Sequence, residues 1–477
     1  MLLPKTFIDD MSQVLSPAEM DRFVQALSGG DTPVSIRKNA AKMTTADCDQ
    51  PDDNGNQVPW CQYGRYLPNR PQFTLDPLLH AGVYYVQEAS SQFISHVIST
   101  LVNSEDPERG LGTKPVTALD LCAAPGGKST AAIAALPQDS ILVSNEIDRK
   151  RARILAENIQ KWGNPNICVT ANAPADFRKL KETFGLIITD VPCSGEGMFR
   201  KDEGAIAEWN PAKVRECAAL QKQIVTDIWP CLKPGGFLIY STCTFNVQED
   251  EANIQFIHDQ LGGEIVPIPV DESWNIHPAL TGSFAPDVRP ESACRFMPHC
   301  TQGEGLFMAL IHKPGKRPAS NEKQASNEKP HKTIQDKSLP TQIRTWISAN
   351  DYVIEQDKEG VAHAFSPRLY PLYRLLASSR LYILSAGVEM GTAKGKDFQP
   401  AHALALSTIL NPEAFPTVDL DLETALNYLR REAIVLPPDT PRGYVLLSYR
   451  QHPLGFVKNI GNRCNSLYPT EWRIRNL

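Results

Sequence analysis

Apolar and polar positions between residues 116 and 313 follow two alternating patterns, and this alternation predicts the main fold. Short apolar runs, typical of buried strands, occur at residues 117–121, 141–145, 167–170, 186–190 and 237–241. Amphipathic helical patterns lie between them at 128–135, 148–161 and 211–232. Strands that alternate with helices across short connections form βαβ units, so we predict an α/β fold with a doubly wound parallel sheet. Residues 306–313 close this unit as a predicted edge strand.

The remaining chain divides into smaller predicted units on either side of this α/β unit, which we assign to residues 106–313. Residues 1–105 are predicted to form an α+β unit, with amphipathic helix over 8–27, a strand or turn at 35–39 and a helix over 84–98. Residues 314–340 contain a tandem Ala-Ser-Asn-Glu-Lys and almost no apolar side chain, so we expect a flexible linker. A small α/β unit (341–410) and a β-rich unit with a hairpin (411–477) follow.

Composition narrows the class of protein. The 477 residues are 42% hydrophobic and 21% charged, which is ordinary for a globular protein of several domains. We find no apolar span of membrane length and no signal-peptide pattern. Eleven cysteines without a C-x-x-C pair favour neither a disulfide framework nor a zinc site. We therefore expect a cytoplasmic monomer with no metal and no membrane partner.

Charge is unevenly distributed along the chain. The formal net charge is −6, yet six basic residues and one acid lie between Arg442 and Leu477. Local basic patches attract polyanions even when the whole protein is acidic. The C-terminal unit is therefore a candidate RNA-binding module, although basic termini are often only solvated surface.

The first strand leads into a glycine turn at Cys122-Ala123-Ala124-Pro125-Gly126-Gly127-Lys128. A strand, a glycine turn and a helix form a cradle for a nucleotide-type ligand, because glycines allow close approach and helix N–H groups face the ligand. A P-loop requires glycine at position 122, where this chain has cysteine. Glu146 ends the second predicted strand, and its spacing from the glycine turn is that expected of an acid that binds the ribose hydroxyl groups. Pro125 and the missing G-x-G-x-x-G favour S-adenosylmethionine over a dinucleotide.

Two thiols follow the ends of two predicted strands. Cys193 lies in Asp190-Val-Pro-Cys-Ser-Gly195, and Cys243 lies in Ser241-Thr-Cys-Thr244. Both should face one cleft, because ligands bind at the carboxyl ends of parallel strands. A thiolate that adds to cytosine C6 activates C5 toward a methyl donor, and Asp190 is placed to hydrogen-bond the N3/N4 edge. Spacing alone does not decide which cysteine attacks.

These motifs, in this order, resemble those of the Sun-type RNA cytosine-C5 methyltransferases. The resemblance implies a Rossmann-like methyltransferase sheet, S-adenosylmethionine as cofactor, Cys243 as nucleophile and Cys193 as the residue that aids product release. It places the cofactor-binding residues at Cys122 to Lys128, Glu146 and Asp190, with Lys128 near Asp190. Many relatives carry an acid after the third strand, where this chain has Asn172 and, out of register, Asp176. Adenine recognition therefore remains open.

The flanking units show weaker resemblances to the same family. Arg37 and Asn39 resemble an R-x-N element of its N-terminal RNA-contacting domain, and residues 200–202 resemble a stretch that can contact substrate. The C-terminal pattern is similar to a subgroup that acts on small-subunit ribosomal RNA and carries a PUA-like RNA-binding module. The resemblance thus implies methylation of cytosine C5 in small-subunit (16S) rRNA, with free rRNA or the assembled small subunit as the substrate. A tRNA substrate and an RNA-binding ribosome-assembly role are the alternatives.

Overall fold

The structure is a computed structural model that describes residues 3–29, 32–44, 56–106, 109–316, 339–395 and 397–475. The predicted linker lies mainly outside these described residues. Among the helices of the described ranges, none has both the length and the apolar character that crossing a membrane requires.

The N-terminal unit combines two helices with a three-stranded antiparallel sheet in the order β2-β1-β3. The helices are Lys5–Met11 and Pro17–Ser28, and the strands are β1 (Val34–Lys38), β2 (Gly64–Leu67) and β3 (Tyr84–Val86). Two further helices of the described residues, the short Pro77–His80 and the ten-residue Phe93–Val102, follow in this unit. The predicted helix over 84–98 is wrong at its start. Tyr84–Val86 pairs with β1, and the helix begins only at Phe93.

Five parallel strands form the centre of the large sheet, in the order β8-β7-β4-β5-β6, as the apolar pattern predicted. They are β4 (Thr117–Asp120), β5 (Ile141–Asn145), β6 (Ile167–Thr170), β7 (Phe184–Asp190) and β8 (Leu232–Thr242). The associated helices are Gly127–Ala135, Arg149–Trp162, Glu203–Glu208, Pro211–Ile228 and Glu251–Leu261. The predicted helix 211–232 ends earlier, at Ile228, because Pro230 follows.

Antiparallel strands extend this sheet on both sides. Beyond β8 lie β12 (Leu306–His312), β11 (Cys294–Phe296) and β10 (His277–Pro278), and β9 (Glu264–Val266) also pairs with β12. The prediction of an edge strand at 306–313 is therefore wrong, since β12 lies between β8 and β11. At the opposite side, β15 (Ile383–Ala386) pairs with β6.

The C-terminal region contains two four-stranded sheets. The first has the order β13-β14-β16-β17 and comprises β13 (Val353–Gln356), β14 (Val361–Phe365), β16 (Val388–Lys394) and β17 (Asp397–Pro400). The second comprises β18 (Thr417–Leu420), β19 (Gly443–Tyr449), β20 (His452–Asn459) and β21 (Cys464–Ser466). The predicted hairpin is confirmed as β19–β20. In the part of this region that the structure describes, three α-helices accompany the sheets: Leu369–Ser378, His402–Leu406 and Leu422–Leu429.

The segment predicted as a small unit over 341–410 is not packed as an isolated body. It supplies β15 to the large sheet, and Leu369 and Leu376 share one buried cluster with Leu119 of β4 and Ile187 of β7. Apolar burial of this kind is the main stabilising contribution to a fold, so the segment and the α/β unit stabilise one another.

Candidate active site

The register of two central strands brings the two predicted thiols together. Asp190 of β7 pairs with Ser241 of β8, so Cys193 and Cys243 leave the sheet side by side at its carboxyl edge. Their sulfur atoms lie 2.9 Å apart, and both side chains are half-buried. Two partly exposed thiols at this separation can act on one bound substrate.

The two thiols lie in different electrostatic surroundings. The hydrogen bond to Cys243, burial and the nearby charges of Cys243 and Glu249 hold the pKa of Cys193 well above its ordinary value. Burial would lower the pKa of Lys128, but the charges of Asp190 and, more weakly, Cys243 raise it. Cys193 therefore lies beside an acid and a second thiol, whereas the Lys128 cation interacts with Cys243.

Asp190 lies at the end of β7 with both carboxylate oxygens bonded. Lys128 Nζ donates to Oδ2 at 2.9 Å, and Ser241 Oγ donates to Oδ1 at 2.8 Å. Lys128 also lies 3.4 Å from Ser91 Oγ. The predicted proximity of Lys128 and Asp190 is thus present, and it connects the glycine-turn helix to the thiol-bearing strand.

The glycine turn has the shape expected of a ligand cradle. Gly126 adopts φ +114°, a left-handed conformation that side chains rarely adopt, and the helix begins at Gly127. The carbonyl of Pro125 accepts from Asn158 Nδ2 at 2.9 Å and from Tyr85 Oη at 3.2 Å, which fixes the turn. Ala123 is buried and Ala124 half-buried beside it. Burial and the charge of Asp120 raise the pKa of the Cys122 thiol.

Two carboxylates lie beside this turn at the ends of neighbouring strands. Glu146 follows β5 and is 3% exposed; its oxygens bond Asp148 N at 3.0 Å and Arg151 Nη1 at 3.3 Å. Asp120 ends β4, fully buried, with Ser129 Oγ donating to Oδ2 at 2.6 Å. Asp120 Oδ1 has no hydrogen-bond partner among the described residues. The next residue, Ile147, differs from the buried Glu146 because its apolar side chain is 62% exposed.

Both residues considered for adenine recognition are engaged elsewhere. Asn172 Oδ1 accepts from the backbone N–H of Tyr382 at 2.8 Å, and its Nδ2 donates to the Tyr382 carbonyl at 3.1 Å. Asp176 Oδ2 accepts from Ala173 N at 3.0 Å and so caps its own short helix. Asn172 therefore secures the segment leading into β15.

Arg37 and Asn39 have a structural position that their resemblance did not indicate. Arg37 is 2% exposed and donates to Gln87 Oε1 at 2.9 Å and Thr130 Oγ1 at 2.6 Å, with its guanidinium over the Trp162 ring. Asn39 is 1% exposed and donates to the carbonyls of Gly82 and Trp162. Both residues join the N-terminal unit to the α/β unit, and neither has the exposure that RNA contact requires.

The charged stretch 200–202 lies next to the thiol loops. Arg200 donates to the Gly303 carbonyl at 3.3 Å, and Lys201 forms an ion pair with Glu304. Asp202 accepts from Gly204 N at 2.8 Å and begins the helix Glu203–Glu208. These contacts hold the stretch against the loop that precedes β12.

The sequence patterns did not reveal a set of buried polar side chains beneath the thiols. Burial, followed by the charge of Glu249, raises the pKa of Glu196 to about 7, and burial raises that of Glu249. Arg295, 1% exposed, pairs with Asp250 at 3.0 Å and with Glu251. These four acids, Glu196, Glu249, Asp250 and Glu251, all lie within nine residues of Cys193 or Cys243 in the sequence. This proximity was a signal that they belong to the site, but their burial could not be predicted from the sequence.

Comparisons with known proteins agree with this architecture. The family model for the 16S rRNA methyltransferase RsmB/F matches residues 113–312. The N-terminal domain of the 16S rRNA methyltransferase RsmF matches residues 3–89, and the methyltransferase RsmF PUA domain matches residues 415–474. A solved methyltransferase homolog protein from Pyrococcus horikoshii is 27% identical with a TM-score of 0.53, covering 65% of this chain and 95% of that one.

Relatives of known name extend over nearly the whole chain. Ribosomal RNA small subunit methyltransferase F of Aliivibrio fischeri (strain MJ11) is 30% identical and covers 98% of this chain and 97% of its own length. The protein of the same name from Erwinia tasmaniensis is 27% identical over 98% of this chain and 96% of its own length. The chain therefore belongs to the RsmB/F family of S-adenosylmethionine-dependent 16S rRNA methyltransferases.

Proposed function

We propose that this enzyme methylates C5 of a cytosine in small-subunit rRNA through a covalent bond between Cys243 and cytosine C6. The observation that carries the proposal is the 2.9 Å separation of the Cys193 and Cys243 sulfurs at the carboxyl ends of adjacent parallel strands. Cytosine C5 is a poor nucleophile, and a thiolate bound at C6 raises its electron density. A second thiol beside the first has a use only if the adduct must later be resolved.

The residues divide the reaction between them. The Cys243 thiolate forms the S–C6 bond, and the ring electrons move toward N3, which takes up a proton from solvent. The Asp190 carboxylate then accepts hydrogen bonds from N3–H and N4–H along this edge. S-adenosylmethionine, when bound, would supply the electrophilic methyl group for C5 and leave as S-adenosylhomocysteine. The Cys193 sulfur, its own proton released to solvent, then accepts the proton from C5. The electrons of the C5–H bond restore the ring double bond as the S–C6 bond breaks, N3 gives up its proton, and the Cys243 thiolate and the aromatic ring are restored. Lys128, which interacts with the charges of Asp190 and, more weakly, Cys243, supports the role assigned to Cys243.

The residues around the glycine turn fit S-adenosylmethionine. The unpartnered buried Oδ1 of Asp120 lies at the end of β4, at the base of the turn, and the helix beginning at Gly127 presents N–H groups. We assign cofactor binding to residues 122–128, Glu146 and Asp190, with Glu146 on the ribose hydroxyls. Exposed Ile147 adds an apolar surface for the adenine ring, a contact that neither Asn172 nor Asp176 provides.

The substrate base must be unstacked, because C6 is out of reach of Cys243 within a paired helix. The C-terminal module, with exposed Arg442, Arg450 and Arg463, supplies charge for phosphate contacts, which makes binding sensitive to salt. These features favour RNA, and the family relationship favours the small subunit as its source.

Transfer of tritiated methyl from S-adenosylmethionine tests the proposal. The substrates are assembled small subunits, deproteinised rRNA and bulk tRNA, all from cells lacking this enzyme, with products mapped by bisulfite sequencing. We expect label at a cytosine of small-subunit RNA. Label only in tRNA would keep the mechanism and change the substrate. Absence of label in all three, with cofactor bound, would favour a role in ribosome assembly without catalysis.

A further inference from the structure

Two buried acids flank the thiol pair and take no part in the mechanism described above. Glu196 follows Cys193 by three residues, and Glu249 follows Cys243 by six. Both side chains are fully buried. A buried carboxylate is retained in a fold only where hydrogen bonds compensate for its lost hydration, so the donors to each acid identify what it holds.

Glu196 lies on the Cys193 loop but binds the Cys243 loop. Its Oε2 accepts from the backbone N–H groups of Phe245 at 2.7 Å and Asn246 at 3.0 Å, and its Oε1 accepts from Trp209 Nε1 at 3.0 Å. The chain immediately after Cys243 is therefore fixed by a residue of the opposite loop.

Glu249 forms the reciprocal connection. It lies beyond Cys243 on the second loop, and its Oε2 accepts from the backbone N–H of Ser194, adjacent to Cys193, at 3.0 Å. Gln221 Nε2 donates to the same oxygen at 2.7 Å and to the Pro192 carbonyl at 2.9 Å. The Cys193 loop is thus held on both sides of the thiol.

One amide links the two acids. Asn246 Nδ2 donates to Glu196 Oε1 at 2.9 Å and to Glu249 Oε1 at 2.8 Å. All of these donors are N–H groups, so each acid acts as an acceptor. A glutamine at either position would place an NH₂ group against at least one N–H donor, while keeping the size of the side chain.

We propose that Glu196 and Glu249 are positioning residues that hold the Cys243 loop and the Cys193 loop, respectively, at the separation the two-thiol reaction requires. The inference rests on the proposed function, since it assigns one acid to each chemical half of the reaction. Loss of the Glu196 contacts misplaces the nucleophile, and loss of the Glu249 contacts misplaces the thiol that aids release.

The two halves predict different phenotypes. In single turnover with small subunits from cells lacking the enzyme, Glu196→Gln should slow formation of the protein–RNA adduct roughly tenfold, the loss expected for one charged hydrogen bond. Glu249→Gln should form the adduct at nearly the native rate and release it roughly tenfold more slowly. The adduct is measured on denaturing gels. Asn246→Ala removes one bond from each acid and should slow both steps.

Asp227→Asn is the control variant, because Asp227 is a largely buried acid that pairs with Arg178 rather than with either thiol loop. It should lose stability without changing the balance between adduct formation and release. The inference would be overturned if Glu196→Gln and Glu249→Gln each slowed adduct formation and adduct release equally, in proportion to their loss of melting temperature, as expected for the control. Absence of any adduct in Cys193→Ala would instead overturn the proposed function and the inference with it.

Discussion

The ammonium group of Lys128 lies 2.9 Å from Asp190 Oδ2 and so joins the glycine-turn helix to the strand that leads to Cys193. Lys128 is largely buried, with 12% of its side chain exposed. Replacing it by Met leaves the Asp190 carboxylate, whose side chain is 34% exposed, without its cation. We expect Lys128→Met to lower kcat at least tenfold while RNA binding stays unchanged. An unchanged kcat would show that this pair does not serve the reaction.

The cysteine variants should differ in kind rather than in degree. Cys243→Ala should abolish methyl transfer, because the S–C6 bond cannot form. Cys193→Ala should accumulate a protein–RNA adduct that survives denaturation, because release is impaired. Denaturing electrophoresis with labelled RNA measures both. An adduct in Cys243→Ala and none in Cys193→Ala would reverse the assigned roles.

Arg37→Ala should reduce stability rather than RNA affinity. The substitution removes bonds to Gln87 and Thr130 and the contact with Trp162, so we expect the free energy of unfolding to fall by about 2–4 kcal/mol. Arg153→Ala removes the same charge from an exposed position and should leave stability nearly unchanged. Chemical denaturation and RNA titration at fixed salt separate the two effects. A loss of affinity in Arg37→Ala at native stability would contradict this assignment.

Asp120 should make stability depend on pH. Burial raises the pKa of Asp120 to about 7 from 3.8, so the cofactor-free folded state binds this proton over a range where the unfolded chain has lost it. The free energy of unfolding should therefore fall as pH rises from about 4 to about 7, by up to about 4 kcal/mol from this group. Asp120→Asn should remove that part of the slope. Parallel pH profiles for the two proteins would exclude it.

Ile147→Ala should weaken cofactor binding without affecting stability. The side chain is exposed in the cofactor-free protein, so truncation loses little burial there. Contact with adenine would bury it, and we expect the Kd for S-adenosylmethionine to rise roughly tenfold. Calorimetric titration measures the change, and Ile154→Ala, exposed on the next helix, is the matched control. Equal Kd values for the two variants would remove Ile147 from the site.

The sequence was sufficient for the features that depend on local pattern. The five central strands follow from short apolar runs, and the proximity of Cys193 and Cys243 follows from their shared position after such runs. Features that depend on pairing between distant segments were missed. The sequence pattern of Tyr84–Val86 predicts a helix, because it does not show that this segment pairs with β1. In the same way, the pattern predicts β12 as an edge strand, because it does not show that β11 pairs with it.

Burial of polar residues was the other limit. Arg37 and Glu249 have charged side chains, which usually lie at the protein surface. Their sequence positions therefore suggested contact with RNA for Arg37 and no role for Glu249. Only the packed structure shows that each is surrounded by donors or acceptors from a different segment of the chain. The glycine turn at residues 122–128 could be predicted, because its glycines act through local backbone geometry.

The pairing of β15 with β6 determines where this chain can be divided. A protein shortened after His312 would lose β15, so the backbone N–H and C=O groups of β6 would have no strand partner and Asn172 would lose its bonds to Tyr382. An unpaired strand at the edge of a sheet promotes self-association. Residues 113–312, which match the methyltransferase family model, therefore do not contain all the strands of the large sheet. Chimeras that exchange C-terminal modules between relatives should therefore cross over after Pro400, so that β15 remains in the large sheet and the β13-β14-β16-β17 sheet is not divided.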